Sequence, residues 1–190
     1  MAEVLAENID KINQSDIHLR LNLIKGKYIL LSAHKEENIN TEENFLSLFN
    51  AINAIAEYYQ LPILYSCHPR SKKRLEESGF KLNPLVIQHE PLAFHDYNCL
   101  QANAFCVISD SGTLPEALDK GCFVLAGIDQ QSLLNAVKIK VEMHMNNDLG
   151  NVVPDYIDKN VSNKIVNLIQ SYTGIVDKFV WRKKYVFQIS

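Results

Sequence analysis

Apolar residues fall into two alternating patterns along this chain. Five short solid runs, Tyr28 to Ala33, Pro62 to Cys67, Leu85 to Gln88, Ala104 to Ser109 and Cys122 to Ala126, are too short for helices. They lack the polar–apolar alternation of a half-exposed strand, so they read as strands covered on both faces. Between them the spacing becomes helical. Thr41, with Asn44 three residues on and Glu42 and Glu43 in the first turn, opens a segment in which Phe45, Leu48, Phe49, Ile52, Ile55, Ala56 and Tyr59 share one side. Shorter helices are expected at 71–78, stopped by Gly79, around 97–101, and at 114–120, stopped by Gly121, with a longer one at 129–143. An amphipathic helix at 3–14 carries Val4, Leu5, Ile9 and Ile12.

Strictly alternating strands and helices, with strands this uniformly apolar, predict an α/β fold: a Rossmann-like parallel sheet with right-handed crossovers and helices on both faces. Residues 160–184 repeat Val161, Ile165, Leu168, Ile169, Ile175, Val176, Phe179 and Val180 at helical spacing, as one or two helices of a C-terminal extension. The expected division is residues 1–24 as an interdomain helix, 25–160 as the Rossmann-like domain and 161–190 as the helical extension.

Composition narrows this. A chain of 190 residues with 47% hydrophobic and 22% charged residues can build a core without disulfides or structural metal. Its net charge of −3 speaks against a body designed for nucleic acid or anionic membrane, so any anion site is local. Cys67, Cys99, Cys106 and Cys122 form no CxxC pair and sit mostly in apolar runs, as expected of buried thiols in a cytoplasmic protein. The N-terminus has neither a basic start nor an apolar stretch, so no secretory signal or membrane span is expected.

In a doubly wound sheet ligands bind beyond the carboxyl ends of the strands. Those loops are polar here, and His34, His68 and His89 follow three successive strands. Asp110-Ser111-Gly112-Thr113 leads into a helix. Its free N–H groups and the Ser111 and Thr113 hydroxyls could hold a phosphate oxygen, with Gly112 allowing close approach; an ordinary helix cap fits the same residues. His34 and Lys35 would reach the same sheet edge. Arg70, Lys72, Lys73 and Arg74 read as a solvated helix face or as an anion site. No ligand spacing points to a metal. GxSxG, P-loop, GxGxxG and HExxH are all absent.

Three stretches carry a resemblance: Ile29-Leu-Leu-Ser-Ala-His-Lys-Glu-Glu-Asn38, Cys67-His-Pro-Arg70 and Ile108-Ser-Asp-Ser-Gly-Thr-Leu-Pro-Glu116. They are similar to the C-terminal domain of the non-hydrolysing UDP-N-acetylglucosamine 2-epimerases. The ending, from Asn160 to Arg182, resembles the subgroup that forms UDP-N-acetyl-L-fucosamine for capsule and O-antigen. The resemblance implies one half of a GT-B-like two-domain enzyme with the UDP-sugar in the cleft. In that family a base takes the C2 proton, UDP leaves to give a glycal, and both add back with inverted C2 configuration, without cofactor or metal. By position, His34 matches the family's site histidine, while Lys35 stands where arginine is usual. Ser111 and Gly112 match the phosphate-binding Ser-Gly, Thr113 replaces a second glycine, Glu116 matches the first glutamate after that turn, and Tyr97 falls near an aromatic that packs by the uracil.

The departures set further expectations. Glu116 runs directly into Ala117-Leu-Asp-Lys-Gly121, where the family carries another helix and strand with a second glutamate and an arginine. The family's N-terminal domain, with its acidic proton-transfer residues, has no counterpart, and Met1 reads as an internal start. The expected ligand is UDP or a UDP-2-acetamido sugar, with a separate N-terminal half or a homodimer as possible partners, and an isolated chain that does not turn over. A non-enzymatic remnant or UDP-binding module is the competing reading.

Overall fold

The computed structural model describes residues 2–33, 41–67, 69–110 and 115–183, without the side chains of residues 115, 116 and 155. Its elements, in order, are α1 (Ala2–Asn13), α2 (Ile17–Arg20), β1 (Ile29–Ser32), α3 (Glu42–Tyr59), β2 (Ile63–Ser66), α4 (Pro69–Ser78), β3 (Val86–His89), α5 (Phe94–Ala102), β4 (Cys106–Ser109), α6 (Pro115–Asp119), α7 (Gln130–Met145), α8 (Pro154–Ile157) and α9 (Val161–Phe179). The chain divides into two compact units, residues 8–153 and residues 1–7 with 154–190.

The larger unit is built on a four-stranded, all-parallel sheet of order β3-β2-β1-β4. Every residue of β1 and β2 is buried, as their unbroken apolar sequence requires of central strands, whereas β3 and β4 are partly exposed edges. Alternate residues face opposite layers. Ile29, Leu31, Ile63 and Tyr65 join Phe45, Phe49, Ile52 and Ile55 of α3 and Leu133 and Val137 of α7 in one core. Thr41 caps α3 as its sequence predicts, its hydroxyl accepting the Asn44 N–H at 3.2 Å. Tyr28 instead meets the layer of α2 and α5: its hydroxyl donates to the Leu100 carbonyl at 2.5 Å and lies 3.0 Å from His18 Nε2. Arg20 and Ser15 both bond the Asp96 carboxylate, tying α2 to α5 and holding the Asp96 carboxyl below its ordinary range.

One expectation fails. Cys122 to Ala126 is not a strand, so the fifth parallel strand is absent among the described residues. The physical reason is that the start of this segment is bonded elsewhere. Lys120 to Cys122 are instead held by the loop before α8: Asn151 N–H donates to the Lys120 carbonyl at 2.7 Å, and the Cys122 thiol to the Asn151 carbonyl at 3.2 Å. α6 is also shorter than the 114–120 helix expected, and α5 longer than 97–101.

In the smaller unit, 160–184 resolves into one helix, α9, followed by described coil to residue 183. The Asn160 N–H donates to the Glu3 carboxylate. None of the residues of α9 is buried.

Candidate functional site

Strand order reverses between β1 and β4, because β2 and β3 extend the sheet to one side of β1 and β4 lies on the other. At such a switch point the loops leaving the two neighbouring strands part to opposite faces and open a crevice. The register places Ser32 beside Ser109, and the Asp110 N–H donates to the Ser32 carbonyl at 3.2 Å. The stems of the two sequence-assigned loops are therefore neighbours. The loops themselves, with His34, Lys35, Ser111, Gly112 and Thr113, lie outside the described residues, as does His68. Glu116 falls in α6, its side chain likewise outside them.

Beside these stems, along the free edge of β4, runs a groove of ≈1080 Å³. Tyr97 and Gln101 of α5, Ser109 at the end of β4, Asp110 after it, Lys140 and His144 of α7, and Asp148 supply its polar lining, over an apolar floor that includes Ile108 and Val137. Residues 122–128, which form no strand, line it as well. Tyr97 is thus the one assigned site residue whose side chain the structure describes, and it faces the groove that Asp110 borders. The Lys140 ammonium donates to the Gly121 carbonyl at 3.1 Å, which fixes a cation in the wall. Burial pushes the Cys106 thiol up to about 11, so this groove residue is a neutral thiol and not a nucleophile at neutral pH.

A second cavity of ≈310 Å³ lies beyond β2 and β3, lined by Cys67, Pro69, Lys72, Gln88, His89 and Glu90. His89 Nδ1 lies 2.7 Å from the Glu90 carbonyl, so that nitrogen carries the proton. The basic run is divided by the fold: Lys72 lines this cavity, Arg74 lies over the Phe45 ring at 5.0 Å, and Lys73 pairs with Glu77 at 3.6 Å. Among the described residues no three His, Cys, Asp or Glu side chains gather into a metal-holding group, and no helix is long and apolar enough to cross a membrane. Lys140 and Gln101 went unnoticed in the sequence. Lys138 and Lys140 lie on different sides of α7, Lys138 over the Tyr58 ring at 4.3 Å and Lys140 in the groove, and the packing of α7 against α3 sets which is which.

The fold and its strand-end crevice define a doubly wound α/β domain of the kind that places a ligand at its switch point. Residues 1–170 match the UDP-N-acetylglucosamine 2-epimerase family. A UDP-N-acetylglucosamine 2-epimerase of Methanococcus maripaludis is 32% identical over 170 residues, covering 75% of this chain and 44% of the relative. The structure of UDP-N-acetylglucosamine 2-epimerase from Rickettsia bellii superposes with a TM-score of 0.77 at 32% identity, covering 95% of this chain and 54% of that one. The Methanocaldococcus jannaschii enzyme, solved in complex with UDP-GlcNAc and UDP, shares the fold at a TM-score of 0.70 and 24% identity. This chain belongs to the UDP-N-acetylglucosamine 2-epimerase family and spans about half the length of the relatives it matches.

Proposed function

We propose that this chain is the UDP-binding half of a UDP-2-acetamido-sugar 2-epimerase and holds UDP at the carboxyl ends of β1 and β4. The observation that carries the reading is the switch point itself. The strand ends from which the two assigned loops leave are neighbours, with Ser32 and Ser109 in register and the Asp110 N–H bonded to the Ser32 carbonyl, which supports the reading. In this reading Ser111, Gly112 and Thr113 receive the diphosphate, His34 and Lys35 face it from β1, Tyr97 packs by the uracil, and Glu116 contributes from α6. A diphosphate that must leave C1 and return needs donors fixed before the reaction, which is the role assigned to these loops.

The substrate we assign is a UDP-2-acetamido sugar of the L-fucosamine-forming subgroup, used for surface polysaccharide in the cytoplasm; the resemblance of residues 160–182 and the four free cysteines support this. These residues by themselves should not epimerise, because a helix–strand unit of the family is lacking after Glu116. The open edge of β4 supports that lack. So does the alignment to the archaeal relative, which runs over 170 positions yet takes in only 75% of the 190 residues.

Calorimetric titration with UDP tests the reading. Binding that His34→Ala and Ser111→Ala each abolish supports a surviving diphosphate site. A folded chain that binds no UDP refutes it and leaves a non-enzymatic remnant of the family.

A further inference from the structure

Residues 122–126 combine two properties that conflict. Cys122-Phe-Val-Leu-Ala126 is apolar throughout, with strand-forming Phe123 and Val124, and Leu125 is 75% exposed. Phe123 to Gly127 nonetheless make no backbone hydrogen bond with any other described residue. In the same groove lies β4, an edge strand with no described strand on its outer side and with Cys106, Val107 and Ile108 only half-buried. An apolar segment without backbone partners and a sheet edge without a neighbour each offer the groups that the other lacks.

We propose that residues 122–126 are a strap with two seats: the one seen here, along the groove, and a second on β4, as a fifth parallel strand that closes the groove. Chain length allows the move. β4 ends at Ser109, so twelve residues, 110–121, connect it to the strap. That is the length a parallel crossover needs. What holds the strap open is a clamp at its start. The Asn151 N–H donates to the Lys120 carbonyl at 2.7 Å, the Cys122 thiol to the Asn151 carbonyl at 3.2 Å, and the Lys140 ammonium to the Gly121 carbonyl at 3.1 Å. All three contacts fall on residues 120–122, so the clamp fixes only the entry to the strap.

Closure exchanges these bonds for a ladder along β4 and turns alternate residues of the strap toward the two helix layers, which covers side chains that water now reaches. It also fills the groove. Tyr97 and Asp110 border that space. A ligand seated there therefore holds the strap open, and the clamp at Asn151 sets how often the empty chain can admit one. The strap is thus autoinhibitory, and it does not depend on that ligand being UDP.

Amide hydrogen exchange of the full chain, followed residue by residue by NMR, tests this without any ligand. Asn151→Pro deletes the donor of the shortest clamp bond, and Lys140→Met the donor on α7. In each variant alternate amides of residues 123–126 should exchange at least about tenfold more slowly than in the wild-type chain. Backbone protons of the strap should also show Overhauser contacts to those of β4, as expected of strands about 4.8 Å apart. Adding Val124→Pro with Leu125→Pro, which removes two successive N–H groups, should return Phe123 and Ala126 to the wild-type rate. Leu30 and Leu31 of β1 report whether the fold survives, and their exchange should stay within about threefold. If Asn151→Pro fails that control, Lys140→Met decides alone. Wild-type exchange of the strap in a folded variant, or slowed exchange without contacts to β4, overturns the proposal.

Discussion

Tyr28→Phe removes one oxygen from the interior of the larger unit, and the loss can be worked out from its partners. The hydroxyl donates its single proton to the Leu100 carbonyl at 2.5 Å, so toward His18 Nε2, 3.0 Å away, it acts as acceptor. Nε2 therefore carries the imidazole proton. Nδ1 keeps its lone pair and faces the Cys99 thiol, whose sulfur is 3.8 Å away and whose S–H donates. Tyr28 is fully buried, and His18 and Cys99 nearly so. Without the hydroxyl, the Leu100 carbonyl still accepts the Asn103 N–H at 3.2 Å. The His18 N–H loses its one partner among the described residues and bears the penalty of an orphaned buried donor, about 1–3 kcal/mol. Phenylalanine fills the same space, so no cavity term is added. In urea unfolding followed by circular dichroism, about 2 kcal/mol corresponds to a midpoint lower by about 1 M at unchanged slope. In a His18→Leu background, where no donor remains to be orphaned, the same substitution should cost less than half as much. A midpoint shift below about 0.2 M, or an equal shift in both backgrounds, would refute the proton assignment.

Burial, and secondarily the nearby Lys25, holds the His18 pKa below 6.5 in the folded chain. The unfolded chain therefore binds the extra proton first, and the stability from neutral His18 is complete above pH 6.5. It is lost as pH falls from there toward the depressed folded value, at no more than about 1.4 kcal/mol per pH unit; urea midpoints at several pH values should show a slope there that His18→Leu removes. Gly150→Ala should destabilise the loop that pins α6 to α7, because φ is +79° and a Cβ would fall 2.7 Å from the Lys120 carbonyl oxygen and the Gly121 carbonyl carbon, both backbone atoms. Proteolysis between residues 119 and 151 should speed up, and wild-type rates would contradict the packing described. Phe49→Ala should cost about 3–5 kcal/mol, since its buried ring sits 4.8 Å from Phe45 and 5.5 Å from Tyr65; a thermal melt unchanged within error would exclude the core as drawn. With its thiol held near 11, Cys106 should alkylate with iodoacetamide at pH 8 at least about tenfold more slowly than an unperturbed thiol, read by peptide mass mapping.

Much of this molecule was legible in its sequence. The period of the apolar positions determined four of the strands, the long helix α3 with its Thr41 cap, and the parallel α/β class, because both faces of a central strand must be covered and each crossover must bring the chain back to the same end. The motifs Ile29–Asn38 and Ile108–Glu116 determined the family, since short polar loops at strand ends change the ligand when they change. Cys122 to Ala126 shows where this reasoning stops. Local composition favours a strand there, but the chain entering it is bonded to Asn151, 29 residues on in the sequence from Cys122. Only the tertiary structure, therefore, decided that β4 keeps an open edge, that Tyr97, Asp110 and Lys140 border one groove, and that Arg74 rests on Phe45 while Lys72 reaches a cavity. A side chain's neighbours across a sheet edge are set by chain reach and packing summed over many residues, and no local window of sequence contains that sum.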